Sequence, residues 1–239
     1  MVDLIDGGTI DLAGKTLPVE IRIDSRARRL ILRVARPNTI RVTCPSKRHV
    51  RDALKMVSAR REWIARRLKE TPTPIPFAPG IILPIFGKPT PIVKDENTRR
   101  AARIEADQLV TGGTTPKAIT RRVETALRKL MLNTCQKNAQ QLAATLGVEV
   151  NAVTVRQMTS RWGSCTHDGN VCFNWRLVFA PPTVLHYVVA HEIAHLKHMD
   201  HSAAFWSVVE TLDPDYQIAD QWLRDHGAGL HAYGEEEAN

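Results

Sequence analysis

The chain has 239 residues, 24% charged and 43% hydrophobic, with a formal net charge of +8, enough for one large domain or two small ones with a real core. No apolar run approaches the roughly 20 residues of a membrane span, and the start, MVDLIDGGTI, carries acidic residues and no hydrophobic signal region, so a cytoplasmic protein with no membrane partner is expected. The four cysteines, at 44, 135, 165 and 172, show no framework spacing, which argues for reduced thiols and against a disulfide scaffold.

In chain order, three short runs alternate apolar and polar residues: Val19, Ile21, Ile23; Leu30, Leu32, Val34; and Ile40, Val42, Cys44. Period two with a turn signal at Pro37 and Asn38 predicts an antiparallel meander with one buried face. Ser46 is placed to cap a helix running to about Glu70, with Val50, Leu54, Val57, Ile64 and Leu68 as its apolar stripe. A proline-rich run from Thr71 to Pro84 reads as a linker wrapping the surface, and strands are expected near 81–86 and 102–110. Thr115 followed by Pro116 opens a long helix ending at Gly147, with Ile119, Val123, Leu127 and Leu130 inward. Beyond it come a strand from Val153, a loop at 166–170, a return strand through Phe179, and a helix from Pro182. The strand from Val171 to Val178 is the candidate for pairing with an extended peptide.

The helix from Pro182 carries HEIAHLKHMDH. Residues four apart on a helix share a face, so His191 and His195 can send imidazole nitrogens to one point with Glu192 beside them. A third ligand comes from His198 or His201. On a straight helix His198 would lie about 10 Å along the axis from His191, too far to share an ion bound at about 2 Å. Geometry therefore favours a turn over 197–200, with Ser202 capping a new helix whose inner face holds Phe205, Trp206 and Val209. His201 would return over the metal as third ligand, leaving one coordination position for water. Few cysteines and no CxxC pair argue against a closed structural site. The expected chemistry is hydrolysis by a water that Zn2+ acidifies and Glu192 deprotonates as general base. Cys165 is read as a small core residue rather than a nucleophile. Tyr216 and His226 are considered as further electrophilic groups, and packing or surface roles are favoured for both.

Arg161, Trp162, Gly163, Ser164 and Cys165, then Asn174, Leu177, Pro181, Tyr187, Val188 and Val189, the HExxH run, then His201, Ser202, Phe205, Trp206, Pro214, Asp215 and Tyr216 form a combination far more specific than HExxH alone. It resembles the YgjP-like metal-dependent hydrolases, a zincin-type metallopeptidase family with kinship to SprT-like proteases. Upstream, Ser25, Arg26, Arg28, Arg29, Trp63, Ile64 and the Phe86–Lys88 turn match as well. The resemblance implies an α+β fold, with an N-terminal antiparallel β-rich cap (1–112) carrying one basic helix. A zincin-like catalytic half (113–239) would follow, its HExxH helix packed under a small β-sheet.

Charge is uneven: residues 1–133 hold 27 Lys and Arg against 13 Asp and Glu, and the remainder 6 against 12. The basic half is not the half that carries the metal motif. Three functions fit this pattern: a zinc peptidase acting on peptides or proteins, a zinc hydrolase of nucleotide phosphoanhydrides (a nucleoside triphosphate pyrophosphatase), and a nucleic-acid-associated protein whose Arg60, Arg61, Arg66 and Arg67 neutralise phosphates. The last includes a protease acting on DNA-bound proteins.

Overall fold

The computed structural model describes residues 3–12, 14–35, 39–70 and 73–234. The chain forms two compact units, one from residues up to 70 and one from Thr73 onward, each with its own apolar core.

The first unit holds β1 (Asp3–Leu12), β2 (Lys15–Ile23), β3 (Ile31–Ala35) and β4 (Thr39–Cys44) in the order β1-β2-β4-β3. The expected meander is replaced by a mixed sheet: β4 inserts beside β2 in parallel register, Val19 opposite Ile40, and pairs antiparallel with β3. Alternation fixes which side chains are buried, and it is the same for either strand direction. The connection decides the pairing. Asp24 accepts from its own loop at Arg26 N (3.1 Å) and from the Arg22 and Arg26 guanidinia, while its N–H extends the β2–β4 ladder to the Cys44 carbonyl at 3.0 Å, so the chain leaves β2 on a wide path and skips a position. The alternating residues Leu17, Val19, Ile21, Ile40, Val42 and Cys44 are buried as their period requires. The helix expected from Ser46 to Glu70 breaks at Arg60, whose backbone (φ −108°, ψ 21°) separates α1 (Val50–Ala59) from α2 (Arg61–Glu70). Ala53, Val57 and Ile64 reach the same core from the two helices.

The second unit begins with a packed strap rather than a surface linker. Ile75 exchanges backbone hydrogen bonds with Ala232 and Gly234 at 2.9 Å, and Phe77, 2% exposed, sits among the rings of Trp175 and Phe179. Next come β5 (Ile82–Ile85), β6 (Lys88–Lys94), β7 (Arg103–Glu105) and β8 (Gln108–Thr111), in the order β5-β6-β8-β7. This sheet was expected in an N-terminal cap ending at 112; it packs instead with the metal-motif half. Leu83, Ile85, Ile92 and Leu109 share a core with the later helices, and Phe86 N–H donates to the Val178 carbonyl at 2.7 Å.

Helix α3 (Pro116–Leu146) starts and stops where its signals lie: the Thr115 hydroxyl accepts from Ala118 N at 3.2 Å, and Gly147 closes the helix at φ 65°. Its buried stripe, Val123, Leu127, Met131, Cys135 and Ala139, repeats every four residues. Beyond it, β9 (Ala152–Arg156), β10 (Gly163–Cys165) and β11 (Asn170–Asn174) form a sheet ordered β10-β11-β9. The return strand stops at Asn174, whose side chain caps a 3₁₀ turn over Trp175–Phe179. Because β11 is paired on both sides, it has no edge to offer a peptide; the edge strands are β9 and β10, and β10 is the one that packs on Glu192. Helices α4 (Pro182–Ala194), α5 (Ala203–Leu212) and α6 (Tyr216–Leu230) complete the unit. Apart from His191, every residue of α4 from Tyr187 to Ala194 is buried, the mark of a helix enclosed on all sides. No helix is long and apolar enough to cross a membrane among the described residues.

Candidate metal centre

The HExxH run ends α4, and the turn that follows makes the centre. The amides of Lys197 and His198 both donate back to the Ala194 carbonyl, at 3.0 and 3.1 Å, which closes the last helical turn. The Asp200 carboxylate then accepts from Ser202 N at 3.2 Å, and the Ser202 hydroxyl accepts from Phe205 N at 3.4 Å to start α5. This reversal carries His201 back over α4.

The imidazoles of His191, His195 and His201 come together, each offering a nitrogen within 4.8 Å of the others. Nε2 of His201 lies 3.1 Å from Nε2 of His191, close to the ~3.3 Å that two nitrogens take around one tetrahedral ion at 2.0–2.1 Å. His198, the rival candidate, contributes its backbone. Its carbonyl accepts from Nδ1 of His195 at 3.0 Å, which fixes the tautomer and leaves the Nε2 lone pair for a cation. Phe205, fully buried, packs beneath all three rings at centroid distances of 4.9, 4.5 and 4.8 Å, and Trp206 flanks His191 and His201. Burial, followed by the neighbouring imidazoles, lowers His191 to about 4 and also lowers His195, so both are neutral near pH 7. Three imidazoles gathered at one point suit a divalent cation.

Glu192 lies beneath β10. It is 5% exposed, and burial raises its carboxyl to about 8 against a downward pull from Arg161. Gly163 makes that placement possible: a Cβ there would lie 2.6 Å from Glu192 Cγ and 2.7 Å from Cδ. The strand is held in place from its own start, since Trp162 packs at a tilt against His231 at 5.0 Å and fits against Gly227, where a Cβ would meet the indole at 3.0 Å. Within the sequence alone, only the family resemblance pointed to Gly163 and Trp162.

The other candidates separate cleanly. Cys165 donates to the Thr166 carbonyl at 3.5 Å, and burial, then Glu192, raises it to about 11, leaving no thiolate at neutral pH. Tyr216 is stacked between Trp206 and Tyr187, and His226 lies on Trp222 with Nδ1 turned to the Trp222 carbonyl. Asp220 was not foreseen. It accepts from the Tyr187 hydroxyl at 3.2 Å and pairs with Arg224, and the sequence offered only that i,i+4 spacing as a signal.

The YgjP-like, metallopeptidase domain family model matches residues 28–226, most of the chain. The chain belongs to this family. As a YgjP-like protein with a three-histidine cluster, it is a metal-dependent hydrolase of the metallopeptidase kind. Two solved metallopeptidase zymogens are similar to part of it, abylysin of Pyrococcus abyssi at 20% identity and jannalysin of Methanocaldococcus jannaschii at 15%. Each aligns with 38% of this chain, over 93% and 94% of its own length, at a TM-score of 0.35. No curated protein matches the YgjP-like chain.

Two outcomes follow from the buried carboxylate. Gly163→Ala has to displace Glu192 or the strand, so hydrolysis should fall at least tenfold while bound metal, measured by elemental analysis, stays near wild type; unchanged turnover would remove the steric argument. A carboxyl whose folded pKa lies above its unfolded one binds more protons when folded, so stability is lost as pH rises from its ordinary 4.5 through about 8. Metal-free Glu192→Gln should therefore melt above metal-free wild type at pH 9, by roughly 2–4 kcal/mol of stability, with the gap closing near pH 4.5. A gap independent of pH in thermal melts would contradict the assigned shift.

Proposed function

We propose that His191, His195 and His201 bind Zn2+ and that the centre hydrolyses peptide bonds with Glu192 as general base. The 3.1 Å approach of two Nε2 atoms, with His195 turned by the His198 carbonyl to present a third, carries this reading. An all-nitrogen set of three suits zinc and leaves a coordination corner for solvent. Zinc bound there supplies Lewis acidity, lowering the pKa of water and drawing charge from a carbonyl oxygen.

The chain's own residues do the rest. Glu192, in a dry setting below β10, accepts the proton of the attacking water and passes it to the leaving amine. Phe205 and Trp206 give the imidazoles a rigid apolar floor. An extended peptide can add to the free side of β10, whose backbone lies directly over Glu192, and main-chain hydrogen bonding would align a scissile carbonyl without demanding one sequence.

Glu192→Gln should retain stoichiometric zinc and lose about 10²–10⁴ in cleavage of a peptide library. In the same assay His201→Ala should lose most of its zinc, and nucleoside triphosphates should stay intact. Cleavage that survives Glu192→Gln, or triphosphate turnover that Glu192→Gln abolishes, would overturn the peptidase reading.

A second reading concerns the first unit. On α1 and α2 and the turn before them, Arg48, Arg51, Lys55, Arg60, Arg61, Arg66 and Arg67 are exposed against Asp52 and Glu62, a surface fitted to phosphate backbones. Retention on duplex DNA should fall steeply between 50 and 200 mM salt, with log K linear in log salt; retention indifferent to salt, or none at low salt, would remove nucleic acid as a partner.

A further inference from the structure

Beside the metal cluster lies a cavity of about 390 Å³, the size of one or two side chains, bounded by the start of β10, by α4 and by α6. His191 and Glu192 form part of its wall, so whatever fills it sits next to the bond under attack. Its apolar lining comes from Trp162, Val188 and Leu223, and its charges are Glu192, Asp220, Arg161 and Arg224.

Those charges are not equally available. Asp220 and Arg224 form an ion pair, and Asp220 also accepts from the Tyr187 hydroxyl. Glu192 is buried under Gly163 and committed to proton transfer. Arg161 has no ion pair or hydrogen bond among the described residues; it is exposed at the cavity and acts on Glu192 only through space. A planar guanidinium with five donors and no acceptor is built for a carboxylate, and an unpaired one beside the reacting bond favours substrates that bring the missing charge.

We propose that this cavity is a specificity subsite for a substrate carboxylate flanking the scissile bond, with Arg161 as the residue that binds it. The proposal rests on the peptidase reading above. The carboxylate can come from an acidic side chain or from the peptide's own C-terminus, and the chemistry at Arg161 is the same for both. A charge-assisted contact of this kind sets an expected preference of about ten- to hundredfold over a neutral isostere.

The test uses the full-length zinc-loaded protein. Quenched peptides carry Glu, Gln or Lys at each position flanking the cleaved bond, in free-acid and amidated forms. Wild type should prefer Glu over Gln by at least tenfold in kcat/KM if side chains are read, or free acid over amide if the terminus is read. Arg161→Gln should bring that ratio near one, Arg161→Lys should keep part of it, and Arg161→Glu should turn it toward Lys; melting temperature and zinc content verify each fold. In parallel, N-acetylglutamate and N-acetylglutamine are titrated onto wild type and Arg161→Gln by calorimetry. Direct carboxylate coordination of zinc is common to both proteins, so the difference between them reports Arg161 alone. Wild type indifferent to a carboxylate on both peptide arms, or Arg161→Gln lowering all peptides alike with its ratio intact, overturns the subsite. If no peptide is cleaved at all, the peptidase reading fails by itself, and the calorimetric difference still decides for or against a carboxylate site at Arg161.

Discussion

The enclosure of α4 is the constraint on which the rest depends. A helix buried on nearly every side can carry ionisable groups only if they are neutral, paired, or meant for a cation. Desolvation keeps the His191 ring uncharged and holds a proton on Glu192 in the absence of metal. The Nδ1 atom of His191 is buried with no hydrogen-bond partner among the described residues, a cost that a metal bond at the ring's other nitrogen would offset. A polar cluster placed in an apolar helix is thus poised for a divalent ion, whose charge would offset what burial makes unfavourable.

Support for that cluster comes from backbone geometry more than from side chains. One carbonyl, that of His198, accepts from Nδ1 of His195 and thereby selects its tautomer. One glycine, at 163, lets a strand rest on Glu192 without a Cβ between them. One phenylalanine, at 205, touches all three rings. Each lies within a short stretch of chain from the histidines or on the element that packs on them, so the precision of the centre is set locally while its dryness is set by the whole second unit.

This division explains what was legible in the sequence. Helical spacing put His191 and His195 on one face, and the reach of a metal bond required a reversal before His201; those are short-range facts that 3.6 residues per turn and a 2 Å bond determine. The caps of α3 at Thr115 and Gly147 were legible for the same reason. Strand neighbours were not. Period two showed that Val19, Ile21, Ile40 and Val42 are buried, yet it is silent on β4 inserting between β2 and β3. The proline-rich strap misled because Ile75 and Phe77 are apolar residues that prolines stiffen into a packed segment rather than expose. Asp220 and the cavity beside it depend on α6 meeting α4, a long-range contact with no periodic trace.

The same insertion occurs three times: β4 between β2 and β3, β8 between β6 and β7, and β11 between β9 and β10. In each, the strand paired to one neighbour in parallel and to the other antiparallel leaves the middle strand of the sequence at the sheet's edge. Exposed edges invite unwanted pairing and are usually blunted by charge. β7 follows that rule, with Arg103 bonded to Glu105 along the strand at 2.5 Å, and β3 carries Arg33. β10 does not: Gly163, Ser164 and Cys165 are small and uncharged. Its three-residue length limits promiscuous pairing, while the lack of charge leaves its backbone open at the one edge that overlies Glu192. A small, uncharged edge resting on Glu192 ties the third sheet to α4.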